Sequence, residues 1–159
     1  MNDTMKTETG QSPAKRVNIV SLKMVRESSL LYPQRRIRMA KDAEGLFRKF
    51  LQENDREQFL LLCLNTKNEP TAIHTVSVGS LDASIVHPRE TFKIAILSIS
   101  ASIIVAHSHP SGDPTPSQQD LAVTKRLREA GELMGITLLD HIIVGSEGAF
   151  VSLKEGGYM

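Results

Sequence analysis

The chemistry of this chain is concentrated in His107-Ser108-His109-Pro110-Ser111-Gly112-Asp113-Pro114-Thr115-Pro116-Ser117-Gln118-Gln119-Asp120. Side chains two apart on a strand point the same way, so His107 and His109 can present two imidazoles to one point. Pro110, Gly112, Pro114 and Pro116 restrict the loop that follows and favour one fixed path. Ser117 suits a helix N-cap, with Asp120 three positions into the first turn, from where a carboxylate can point back toward the strand end. Two neutral imidazoles and one carboxylate form a zinc ligand set that leaves a fourth position for water. Such an ion lowers the pKa of its water from about 16 to about 7, making a nucleophile at neutral pH. Ser117 would orient that water or stabilise a developing oxyanion. Plainer readings stand beside these. Ser117 and Asp120 also make an ordinary capping pair. Asp113 is the competing carboxylate, in a Gly-Asp-Pro turn where Asp is favoured for backbone reasons.

The elements that must position these groups follow from periodicity. Leu46, Phe47, Phe50 and Leu51 make one apolar stripe, predicting a helix from about Ala43 to Asn54 with Asp42 as its cap. The apolar run Phe59 to Leu64 reads as a buried strand, Asn65-Thr66-Lys67-Asn68 as a turn, and Thr71 to Val78 as the partner of a hairpin. Pro88 opens a second helix to about Leu97, and Ser102 to Ala106 is another buried strand. A third helix runs from Ser117 to about Met134, stopped by Gly135. Strands at about Leu138 to Val144 and Ala149 to Leu153 complete an α/β domain, a mixed β-sheet flanked by helices. Upstream, residues 1–16 read as a loose polar tail. Residues 17–40 read as an extension in which the β-formers Val17, Ile19, Val20, Val25, Leu30, Leu31 and Tyr32 predict one or two short strands; the domain proper is 41–159.

The bulk properties exclude little but point consistently. With 159 residues, 40% apolar and 23% charged, the chain can bury a core of its own. Nineteen basic against 18 acidic side chains give no overall excess for holding nucleic acid. The basic cluster is Arg35, Arg36, Arg38 and Lys41, read as a solvated loop and helix start or as a phosphate contact. Cys63 lies inside the apolar run and reads as a small buried hydrophobe; one thiol forms no internal disulfide, which fits a reducing, cytoplasmic setting. No run reaches the length of a membrane span.

His107, His109, Ser117 and Asp120 match position by position the signature H-x-H, seven residues, S-x-x-D, and so the stretch resembles the JAMM motif of the JAB/MPN metallohydrolases. The wording HSHPSGDPTPS is closest to the RadC-like branch, whose usual form has Asn in place of Ser108. Neighbouring phrases agree, among them Val78-Gly79-Ser80-Leu81-Asp82-Ala83 and Leu139-Asp140-His141-Ile142, so that the resemblance covers most of residues 40–155. It implies a cytidine-deaminase-like α/β core and zinc held by the two histidines and Asp120. It also implies a glutamate on an early strand as general base, which by position maps to Glu57, with Glu53 and Glu90 as rivals. Asp140 and His141 match a family phrase outside the signature and are read as either partners behind the metal ligands or a structural pair. RadC-like proteins often carry an N-terminal helix-hairpin-helix region; the residues before this core are too few for it. The expected activity is zinc-dependent hydrolysis of amide bonds in a peptide or protein. The alternatives are a DNA-transaction role using Arg35, Arg36 and Arg38, and a binding domain that has lost catalysis.

Overall fold

The computed structural model describes residues 13–51, 56–79 and 86–159. Three helices and five strands follow in the order α1 (Ala40–Leu51), β1 (Gln58–Leu64), β2 (Pro70–Val78), α2 (Pro88–Leu97), β3 (Ser102–Ser108), α3 (Gln118–Met134), β4 (Thr137–Val144) and β5 (Phe150–Ser152). The sheet order is β2-β1-β3-β4-β5, antiparallel except for β3 beside β4. Parallel neighbours need a crossover, and α3 is that crossover.

β1 is buried on both faces because helices cover the sheet on both sides, so it reads as a continuous apolar run rather than an alternation. Phe59, Leu61 and Cys63 face one way with Ile103 and Val105, under Phe92 of α2 and Val123 and Leu127 of α3. Leu60, Leu62 and Leu64 face the other way with Ile104 and Ala106, under Ala43, Leu46 and Phe47 of α1. Cys63 is fully buried and free, as its surroundings in the sequence suggest. The β1–β2 turn is built by Asn65, whose Oδ1 accepts from the N–H groups of Lys67 and Glu69.

Helix ends follow local capping chemistry. α1 starts three residues earlier than its apolar stripe suggests, because Asp42 reaches back to accept from the N–H groups of Arg38 and Met39. The expected continuation to Asn54, and the rival base Glu53, lie outside the described residues. α2 has Pro88 in its first turn and His87 as its cap, with Nδ1 accepting from Arg89 N. α3 is capped by Ser117 and closed by Gly135 at φ 69.

One expectation fails. Residues 13–32 form neither strand nor helix, and Val17, Ile19, Val20, Leu22 and Val25 are exposed. β-propensity alone does not make a strand, which needs a neighbour for its N–H and C=O groups. Neither sheet edge, β2 nor β5, takes this segment as a partner. Among the described residues its end alone is anchored: Leu30 and Tyr32 pack against the α1 side of the core, and Lys49 Nζ donates to the Leu31 carbonyl.

Candidate metal centre

The alternation of β3 turns His107 toward the α3 side of the sheet with Ile103 and Val105, and β1 pairs Phe59 against it. The loop from His109 to Pro116 then folds back on the β4–β5 turn. Ser146 N donates to the Gly112 carbonyl at 2.9 Å. Gly112 has φ 78, and a Cβ at Gly145 would stand 2.5 Å from the Gly112 carbonyl and 2.8 Å from Pro114 Cδ. Only a residue without a side chain fits at Gly145. This docking fixes Asp113, whose backbone carbonyl accepts from His109 Nδ1 at 2.7 Å. Ser117 and Asp120 form a full capping box: Ser117 N donates to Asp120 Oδ2 at 2.6 Å and Asp120 N donates to Ser117 Oγ at 3.1 Å.

Together these place three ligand atoms around one point, all within 4.8 Å of one another: one from each of His107, His109 and Asp120. His107 and Asp120 are buried, while His109 is 16% exposed and Ser117 is exposed, so the point opens to solvent at their side. His107 Nε2 lies 3.0 Å from Asp120 Oδ1 and His109 Nε2 lies 3.2 Å from Asp120 Oδ2. The first of these contacts is close without the direction of a hydrogen bond, leaving the buried Nε2 with no hydrogen-bond partner. A carbonyl cannot donate, so His109 carries a proton on Nδ1 and turns Nε2 toward Asp120. Two imidazole nitrogens converging on one buried carboxylate form a set that could hold a metal ion. Asp120 is held well below the usual carboxylate range: burial works to raise it, but the His107 contact and the Ser117 N–H outweigh burial.

Behind His107 stands His141, with Nε2 2.8 Å from His107 Nδ1 and Nδ1 2.6 Å from Thr124 Oγ1. His141 reaches this face through a β-bulge. The register of β3 against β4 shifts between Ile103 and Ile104, which pair with Leu138 and Asp140, so Leu139 is the extra residue. Without it His141 would face α1 instead. Asp140 braces the bulge, its carboxylate accepting from His141 N, Ser152 Oγ and Lys154 N. Burial nevertheless raises the Asp140 carboxyl above its usual range, the three donors offsetting part of the shift. Burial also keeps the His141 imidazole well below its ordinary value, so it is neutral.

The other residues singled out in the sequence sort clearly. Asp113 spends its carboxylate on Thr115 N and Oγ1, and its part in the site is played by its backbone. Glu90 is exposed and paired with Lys93 on α2. Glu57 is half-buried at the entry to β1, two residues before Phe59, and the register pairing Phe59 with His107 would set it opposite His109 if continued. Thr124 was not legible as a site residue, although its place one turn after Asp120 on the buried side of α3 is the available signal. Beside His109 a cleft of about 310 Å³ is lined by Arg48, Leu51, Ser108, Pro110, Gly112 and Ser146. Of the basic cluster, Arg35 and Arg36 pair with Glu69 and Lys41 pairs with Glu44.

Comparison with known proteins agrees with this geometry. The family model described as RadC-like JAB domain matches residues 37–158. A UPF0758 protein of Desulforamulus reducens is 49% identical over 93% of this chain and 66% of its own length. UPF0758 proteins of Methanosarcina barkeri and Shouchella clausii are 50% and 53% identical, over 80% and 84% of this chain and 55% and 56% of theirs. The chain therefore spans between about half and two thirds of these curated relatives. With the signature, the fold and the match in accord, the chain belongs to the RadC-like JAB domain family.

Proposed function

We propose that this chain is a zinc-dependent hydrolase of amide bonds in peptides or proteins. The observation that carries this reading is the convergence of His107, His109 and the buried Asp120 carboxylate on one point, with His107 Nε2 buried and without a hydrogen-bond partner. A zinc ion held by His107, His109 and Asp120 would supply an activated water and polarise a carbonyl. The remaining work falls to side chains. Glu57 takes the proton from the attacking water and returns it to the leaving amine. Ser117 Oγ accepts from Asp120 N, which leaves its own O–H free to donate to the oxygen that gains charge. The cleft beside His109 receives the chain flanking the scissile bond, with the wall at Gly112 and Ser146 fixed by their mutual hydrogen bond. Cys63, fully buried and unpaired, supports a reducing compartment such as the cytoplasm. No helix among the described residues is long and apolar enough to cross a membrane.

The test is a peptide- and isopeptide-cleavage screen on zinc-loaded protein beside Glu57→Gln. The variant should bind zinc as wild type does and lose about 10²–10⁴-fold in rate. A variant as active as wild type would remove Glu57 from the mechanism, and an inactive wild type across the screen would leave the binding-domain reading.

A second reading rests on a different place. Arg35, Arg36, Arg38 and Lys67 line one open groove of about 650 Å³ at the start of α1. Four cations there could contact a DNA backbone, although Glu69 and Asp42 share the groove and Glu69 already pairs with Arg35 and Arg36. No retardation of single- or double-stranded DNA at low salt would dispose of this reading.

A further inference from the structure

Thr124 is buried one turn after Asp120. Its Oγ1 stands 2.6 Å from the Asp120 backbone carbonyl and 2.6 Å from His141 Nδ1. The carbonyl oxygen has no hydrogen to give, so that contact consumes the single hydroxyl proton. Toward His141 the hydroxyl oxygen can then only accept, which places the His141 proton on Nδ1 and leaves Nε2 with its lone pair. His141 is fully buried and its ring nitrogens meet only a hydroxyl and another imidazole, so one proton is all it carries. That lone pair faces His107 Nδ1 at 2.8 Å, so His107 must carry a proton on Nδ1, the one neutral tautomer that leaves Nε2 for coordination. We propose that Thr124 sets the tautomer of the metal ligand His107, acting through His141.

If Thr124 gave its proton to His141, two acceptor oxygens would face each other at 2.6 Å with nothing between them. His107 would then hold its proton on Nε2, the atom that must be bare to coordinate. The chain begins at the Asp120 carbonyl and returns to the Asp120 carboxylate, so one residue of α3 both sets the ligand's tautomer and shares its ion. A helical threonine bonded to the carbonyl four residues back is common by itself. What makes this one a positioning residue is its second contact, to His141. The inference rests on the metal-site reading, and its test separates the two.

The experiment compares full-length wild type, Thr124→Ser and Thr124→Val. Each is titrated with zinc against a chromophoric chelator, and imidazole nitrogen chemical shifts are recorded on the metal-free proteins. Thr124→Ser keeps the hydroxyl and should hold zinc as wild type does, with His107 protonated on Nδ1. Thr124→Val keeps the shape and loses the hydroxyl; zinc affinity should fall about 10–100-fold, with His107 shifting toward the Nε2-protonated form. A folded valine variant with serine-like affinity and tautomer would overturn the proposal. Should the valine variant fail to fold, His141→Gln, which can still accept from His107 Nδ1, is set against His141→Leu. Higher zinc affinity in the glutamine variant supports the proposal, and equal affinities overturn it. If wild type binds no zinc, the metal reading fails, and the tautomer shifts alone then decide the role of Thr124.

Discussion

Ser117 holds two jobs that a single substitution can separate. Its Oγ caps α3, and the cap contributes about 1 kcal/mol to stability. Ser117→Ala should therefore lower the midpoint of thermal unfolding by a few degrees in the metal-free protein. Zinc stoichiometry should stay unchanged, because Asp120 keeps its other cap bond from Ser117 N. If the hydroxyl also donates to the reacting oxygen, kcat falls about 10²–10³-fold with little change in KM. Steady-state kinetics with unchanged kcat would leave Ser117 a cap and nothing more. At this scale the sequence was generous where the logic is local. Strand alternation aligns His107 with His109, and a cap places Asp120 three residues after Ser117. Asp113 stands out in the sequence for its carboxylate, whereas its backbone carbonyl does the work, because backbone contacts carry no residue type.

Among the elements, the loop after β3 is held in place by the β4–β5 turn as well as by its own prolines. Gly145→Ala would drive a methyl group into the Gly112 carbonyl and Pro114. Relief requires the loop to move away, taking with it the Asp113 carbonyl that fixes His109. Destabilisation of about 1–3 kcal/mol is expected, together with weaker zinc binding; denaturant melts and a zinc titration on the same preparation measure both. Wild-type zinc affinity in that variant would show that the loop does not position His109. The β4 bulge is a second such device. Asp140→Ala strands three donors at His141, Ser152 and Lys154 and should cost about 2–4 kcal/mol, read by chemical denaturation. The strand β4 itself was plain from its run of Leu, Ile and Val. The bulge within it was not, since one extra residue changes the phase of a strand without changing its composition. That is why His141 could be matched to a phrase yet not assigned a face.

Across the whole molecule, α1 is tied to the far end of the sheet by Arg48, which donates to the Gly145 and Ala149 carbonyls and to Glu44. Glu44 is buried, and although burial works to raise its pKa, hydrogen bonds from Lys41 and Arg48 bring it below its ordinary value. A carboxyl with a lowered folded pKa adds stability that is complete above its unfolded pKa, about 4.3, and is lost as pH falls through the folded value. Glu44→Gln should thus be less stable than wild type by about 1–3 kcal/mol at neutral pH, with the gap closing below about pH 4. A gap independent of pH would mean that packing, not charge, explains the loss. The alternation of helices and strands was legible throughout the domain because each helix and strand buries a periodic face. The β-formers of 17–32 suggest strands that do not form, because no strand among the described residues pairs with this segment, and pairing is invisible in propensity.

A cation between His107, His109 and Asp120 is the centre of the proposed chemistry, and metal content measures it directly. Protein purified without chelators or nickel resin is analysed for elemental zinc beside Asp120→Ala. About one zinc per chain is expected in wild type, lost in the variant. Wild type that holds no zinc after reconstitution, or a variant that retains it, would contradict the site at its centre.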